Sequence, residues 1–134
     1  MVNFNFLKIT QKRYTASQSQ EIFIAAEDTD NDILIGFCRL RIPCKPFRPE
    51  ITISSAGIRE LHVYGKPVPL GSPAESSQLQ HRGIGAALLA EAEKLAAEEF
   101  DARKMLVISG IGAREYYRKF GYRGDGVYMS KQFN

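Results

Sequence analysis

The sequence predicts a single α/β domain built on a mixed β-sheet flanked by helices, and three observations carry that expectation. Strand-like apolar runs occupy the first half, from Glu21 to Tyr64. One long alanine- and leucine-rich stretch, QHRGIGAALLAEAEKLAAEEF from Gln80 to Phe100, then reads as a helix. After it come a short apolar run, MLVIS, and a second short helical stretch. Strands, helix, strand, helix and strands in that order imply a sheet of mixed direction, because a helical crossover between strands sets them parallel.

The bulk composition agrees. A chain of 134 residues, 44% hydrophobic and 25% charged, is the size of one globular domain that can bury its own core, here expected over residues 1–134. No apolar run approaches a membrane span, and Met1 to Thr10 lacks the basic start and apolar core of a signal peptide, so the reading is soluble and cytoplasmic, with no membrane partner. Cys38 and Cys44 have no second CxxC and no histidine at zinc spacing, which supports neither a metal site nor a disulfide framework. The net charge of +3 is too small to indicate nucleic-acid binding by itself, and it suits an anionic ligand.

Element by element, EIFIAAE (Glu21 to Glu27) and DILIGFCRLRI (Asp32 to Ile42) form two strands joined by a turn at Asp28, Thr29, Asp30 and Asn31, an antiparallel hairpin. Leu34, Cys38, Leu40 and Ile42 share one face of the second strand, while Arg39 and Arg41 alternate onto the other. IRELHVY (Ile58 to Tyr64) is a third strand. Lys66 to Gln78, rich in proline and serine, is a surface excursion within the domain. In the long helix Ile84, Leu88 and Leu95 recur at helical spacing. Met105 to Ser109, bounded by Gly110 and Gly112, is a buried strand; Arg114 to Phe120 is a short helix capped by Gly121; the tail carries a turn at GDG between edge strands.

Gly83 and Gly85 stand where a helix would favour alanine. A helix that starts with free backbone N–H groups holds a phosphate or pyrophosphate, and glycines let that ligand approach without a Cβ in the way. A P-loop would need GxxxxGK with Ser or Thr, and a dinucleotide fingerprint would need glycine at Leu88, so neither applies. The spacing QxxGxG, with Gln80, Gly83 and Gly85, resembles instead the coenzyme A pyrophosphate loop of the GNAT acetyltransferases. Tyr117 to Tyr122 (YRKFGY) is similar to that family's YxxxGF pattern, with tyrosine as the last aromatic. RELHVYGKPVP, QHRGIG, VISGIG and REYYRKFGY together resemble, more narrowly, the acetyltransferase domain of the Elongator catalytic subunits, which modify the tRNA wobble uridine.

The resemblance implies a GNAT-type fold and acetyl-CoA as cosubstrate. It places the backbone of Glu60, Leu61, His62 and Val63 against the acetyl carbonyl, with a strand irregularity aiming an amide at its oxygen. It places the amides of Gly83, Ile84, Gly85, Ala86 and Ala87 on the pyrophosphate, alongside Gln80, with Arg82 as a charge partner. Tyr117 falls at the general-acid position for the departing thiolate, and Tyr116, roughly a quarter-turn away, is packing or a second ligand contact that does not face the sulfur. Each also has a plain structural reading: Tyr117 as a core aromatic, Arg82 as a solvated helix-start residue. Glu60 and His62, on one face of an unbulged strand, are candidates for a base or simply hydrogen-bonded strand residues. Arg114, Arg118, Lys119 and Arg123, and Arg39, Arg41, Lys45 and Arg48, are two basic groups that form solvated faces or hold RNA or the coenzyme's adenosine phosphate.

In the Elongator-like enzymes this domain is joined to a radical SAM domain whose iron-sulfur cluster needs three cysteines. With two cysteines, this sequence does not hold that domain. The expected function is therefore supply of acetyl groups from acetyl-CoA for tRNA wobble-uridine modification with a radical SAM partner. The alternatives are a free-standing N-acetyltransferase acting on a lysine or other amine, and a non-catalytic acetyl-CoA- or RNA-binding module.

Overall fold

The computed structural model describes residues 7–16, 19–43, 55–64, 83–107, 113–126 and 128–133. Seven strands form one sheet: β1 (Leu7–Ala16), β2 (Ser19–Asp28), β3 (Ile33–Ile42), β4 (Ser55–Val63), β5 (Lys104–Val107), β6 (Arg123–Asp125) and β7 (Tyr128–Gln132), in the order β1-β2-β3-β4-β5-β7-β6. Every neighbouring pair is antiparallel except β4 and β5. That parallel pair requires a crossover, and α1 (Ile84–Lys94) supplies it. A wider π-type turn over Leu95–Glu99 extends α1, and α2 (Arg114–Arg118) follows β5.

The hairpin lies where its pattern predicts. Its turn is fixed by Asp28, whose carboxylate accepts the Asn31 backbone N–H at 3.2 Å and the Asn31 amide at 2.8 Å. Leu34 departs from expectation. The β2–β3 register steps from Ala26↔Gly36 to Glu27↔Leu34, leaving Ile35 as an extra residue. The bulge reverses the alternation before it, so Ile35 is buried in the core and Leu34, 36% exposed, lies on the opposite face from Cys38, Leu40 and Ile42.

β1 is a second departure. LKITQKRYTA is too polar for its alternation to announce a strand, yet it pairs along its whole length with β2. The Arg13 guanidinium reaches over the sheet edge to Glu99, at 2.5 and 2.7 Å, and lies 5.7 Å from the Phe100 ring centroid, tying β1 to the end of the long helix. In the tail, β7 is an interior strand between β5 and β6, so β6 alone of the two lies at the edge.

One core joins the helices to the sheet. Leu88, Leu89, Ala92 and Ala96 of the long helix pack with Ile22, Ile24, Cys38, Leu40 and Ile58 of the central strands. Gly36 permits the close approach: a Cβ there would meet the His62 carbonyl oxygen at 2.8 Å and Leu88 Cδ1 at 3.3 Å. α2 ends in a Schellman turn, with Tyr122 N–H bonded to the Tyr117 carbonyl and Gly121 N–H to that of Arg118, so Gly121 caps it as predicted. Among the described residues no helix is long and apolar enough to cross a membrane.

Candidate active site

The site begins where the described pairing of β4 with β5 ends. β4 pairs with β5 over Ser55–Ile58 and Lys104–Val107, whereas β4 itself runs to Val63. From Arg59 to Val63 the edge of β4 turned toward β5 has no strand partner among the described residues; Ile108 and Ser109 of the predicted strand lie outside them. The irregularity sits at the start of this stretch: the register steps from Arg39↔Glu60 to Leu40↔Ile58, making Arg59 a bulge. Beside this stretch Leu61 and Val63, Gly85, Ala113, Tyr116 and Tyr117 line a cavity of about 210 Å³. At ~30 Å³ per water it has room for the thioester end of a coenzyme and not for the whole molecule.

Tyr117 is buried, 6% exposed, at the floor of this cavity. Burial, with smaller contributions from Cys38 and Tyr116, raises its pKa from 10.0 to about 12. The phenol is thus neutral across the physiological range and can donate a proton or a hydrogen bond. Tyr116 meets Tyr117 edge-on, with centroids 5.5 Å apart, and burial raises its pKa as well. Both tyrosines line the cavity, Tyr116 beside Tyr117.

The two glycines serve different needs. Gly83 is the N-cap residue of α1 with φ 74°, in the left-handed region, and a Cβ on it would meet nothing within 4 Å. Gly85 has ordinary helical surroundings, but a Cβ there would collide with the Tyr116 hydroxyl and lie 3.6 Å from Val63 Cγ2. Gly83 therefore shapes the helix start and Gly85 seats a phenol. That start has no side-chain cap and no acidic residue in its first turn. The Ala87 amide is already bonded to the Gly83 carbonyl at 2.8 Å, which leaves Gly83, Ile84, Gly85 and Ala86 as the predicted amides without an intrahelical partner. Gln80, Arg82 and the Lys66 to Gln78 excursion lie outside the described residues, as do Cys44, Lys45 and Arg48.

Glu60 and His62 share one face of β4, as predicted, but it is the face opposite Leu61, Val63 and Tyr117. His62 is exposed, 4.6 Å edge-on from Tyr64 and 6.0 Å from Phe37. Glu60 lies 3.8 Å from Arg39. Neither side chain lines the cavity that holds Tyr117. Of the basic residues near α2, Arg118 pairs with Glu115, and Lys119 and Arg123 are exposed.

A supporting network was not anticipated. Tyr122 donates to Glu93 at 2.7 Å and Lys131 pairs with the same carboxylate at 3.2 Å, joining α1 to β7. The Tyr122 ring, 5.7 Å from that of Tyr117, backs the catalytic candidate. The YxxxGY spacing marked Tyr122 as an aromatic; nothing in it marked Glu93, a glutamate among many in a long helix. Cys38 is fully buried in this region, and burial pushes its thiol up to about 12, which makes it an inert core residue.

Among the described residues, a seven-stranded mixed sheet with a glycine-opened helix between its parallel strands, and a buried tyrosine in the adjoining cavity, is the arrangement of an α/β acyltransferase. The chain belongs to the acetyltransferase (GNAT) family, whose model it matches over residues 4–122. It is 50% identical over 131 residues to a tRNA uridine(34) acetyltransferase of Methanocaldococcus jannaschii, covering 98% of this chain and 24% of that protein. It is 46% identical over 127 residues to Elongator complex protein 3 of Drosophila melanogaster, covering 93% and 23%. Among solved structures, Methanocaldococcus infernus Elp3 with an N-terminal deletion superposes with a TM-score of 0.85 at 47% identity, over 98% of this chain and 31% of that one. The toxin AtaT, solved with acetyl-CoA, shares the fold at a TM-score of 0.59 and 17% identity, over 87% and 69%. The chain spans about a quarter of the length of these curated relatives.

Proposed function

We propose that the chain binds acetyl-CoA and releases its acetyl group for modification of the tRNA wobble uridine, acting with a radical SAM partner. The observation that carries this reading is the cavity beside Leu61 and Val63 of β4 that contains the neutral Tyr117 phenol, against an edge of β4 unpaired among the described residues. Backbone amides of Leu61 and Val63, whose N–H groups the register turns away from β3, polarise the thioester carbonyl there, as donors fixed before the reaction. The first-turn amides of α1 hold the pyrophosphate, aided by a helix start that carries no competing carboxylate.

When the acetyl–sulfur bond breaks, the electron pair stays on sulfur and Tyr117 supplies the proton or hydrogen bond that stabilises the thiolate. The described lining of the cavity offers two phenols and no carboxylate or imidazole, so it equips the leaving group and not an amine nucleophile. The tRNA assignment draws on the relatives' names and on identity near one half.

The test is calorimetric acetyl-CoA binding together with release of free coenzyme A by the purified chain. Binding with slow hydrolysis to acetate and coenzyme A, not accelerated by lysine or polyamines, is the expected result. Amine-stimulated release would establish the N-acetyltransferase alternative, and absence of binding would establish a non-catalytic module.

A further inference from the structure

The face of β4 turned away from the thioester cavity is built from aromatic rings and charges. Phe23 and Phe37 stack at 5.0 Å and 24°, and Phe37 lies 6.0 Å from both His62 and Tyr64. The rings continue to the surface, where Tyr64 is 38% exposed and Tyr14 56%. Tyr64 is held in place just beyond the strand by its backbone N–H, which bonds the Ile35 carbonyl at 2.8 Å. Between Tyr14 and Tyr64 lies a hollow of about 420 Å³, in the size range of small-ligand sites.

Its polar groups are unevenly committed. Glu21 is bonded to Arg59 at 2.7 Å. Arg39 sits 3.8 Å from both Glu21 and Glu60, beyond hydrogen-bond reach, and about half of its side chain is exposed. A planar five-donor fork and a carboxylate acceptor thus stand side by side at the rim of a ring-lined hollow.

We propose that this hollow binds an unpaired base of single-stranded RNA. The base stacks on Tyr64 over Phe37, Arg39 donates to a ring carbonyl, and Glu60 accepts a ring N–H. A uracil presents that edge, with N3–H between two carbonyl oxygens. Exposed Lys8 and Lys12 stand on the same face of β1, by their register with Glu27 and Phe23, and offer cations to a phosphate backbone. The inference rests on the RNA-directed reading above and deepens it: the two substrates would meet across β4, on opposite faces of the stretch from Glu60 to Val63.

The test uses the chain with a fluorescently labelled seven-nucleotide oligouridylate, read by anisotropy, and with acetyl-CoA, read separately by calorimetry. Tyr64→Ser and Arg39→Gln are each expected to weaken oligouridylate binding about tenfold, within the range for loss of a stacking partner, while acetyl-CoA binding stays within twofold. Saturating acetyl-CoA is expected to leave the oligonucleotide bound. No oligouridylate binding, binding indifferent to both variants, or displacement by acetyl-CoA would overturn the site. Capture of a protein domain on this face without RNA affinity would overturn it as well. Failure of acetyl-CoA to bind the unaltered chain would instead strike the acetyl-transfer reading, so the two failures are distinguishable.

Discussion

Two sides of one stretch of β4, from Arg59 to Val63, divide the labour of this molecule. On the helix side, Leu61 and Val63 face Gly85 and two tyrosines in a half-open cavity set against the core. On the open side, Glu60 and His62 stand among Phe37, Tyr64 and Arg39, and the rings there reach solvent. The contrast follows from the period of two in a strand, combined with helices that cover one face of its central part. Burial neutralises the phenol on one side and so fits it to donate; exposure on the other leaves charged groups free to meet a ligand. Substitutions on the two sides should therefore separate cleanly.

The largest effect belongs to Tyr117. Tyr117→Phe keeps the ring packed against Tyr116 and Tyr122 and removes only the proton, so the melting temperature should hold while coenzyme A release falls about a hundredfold in kcat, with little change in KM. Equal rates in the two proteins would remove Tyr117 from the chemistry and reduce the helix side to a binding cleft.

Gly85→Ala comes next. The added methyl overlaps the Tyr116 hydroxyl and forces either that ring or the start of α1 to move. Overpacking of this kind costs about 1–3 kcal/mol, and acetyl-CoA affinity should fall roughly tenfold or more. Adding Tyr116→Phe removes the colliding oxygen, so the double variant should recover most of the affinity measured by calorimetry. If it does not, Gly85 is required by the coenzyme itself and not by Tyr116.

These two positions also show how far the sequence could be read. The pattern around Gly83 and Gly85 announced a helix start open to an anion, and YxxxGY announced the aromatic end of α2, because both depend on local backbone requirements that spacing preserves. The partner of Gly85 was not legible: Tyr116 is 31 positions away, and only the fold brings its hydroxyl over the glycine. Likewise β1 is a strand because β2 offers it an edge, and Leu34 is exposed because a bulge at Ile35 shifts its phase. The predicted residues Glu60 and His62 were placed on one face correctly, but periodicity could not say which face the helices would cover.

Alkaline pH gives a smaller, graded test of the helix side. Cys38 rises from 9.0 to about 12 and Tyr117 from 10.0 to about 12, both chiefly by burial, and Tyr122 is raised too. In each case the folded value lies above the unfolded one, so the stabilisation is complete below the unfolded value and is lost as pH climbs through the folded one. Urea midpoints should be flat up to pH 9 and then decline toward pH 12, by on the order of a few kcal/mol in total. Cys38→Ala should delay the onset of the decline to about pH 10, where the phenols take over. A profile flat through pH 11 would mean that water reaches these groups in solution and that the two sides differ less than the structure indicates.

The smallest expected change comes from the open side. His62→Ala removes an exposed imidazole whose contacts are the rings of Phe37 and Tyr64, and its backbone, which the register turns toward β3, is retained. Acetyl-CoA hydrolysis should therefore change less than twofold in kcat/KM. A tenfold loss at an unchanged melting temperature would make His62 a base that reaches the acetyl group from the open face. The open side would then contribute chemistry as well as recognition, and β4 would hold a reactive group on each face.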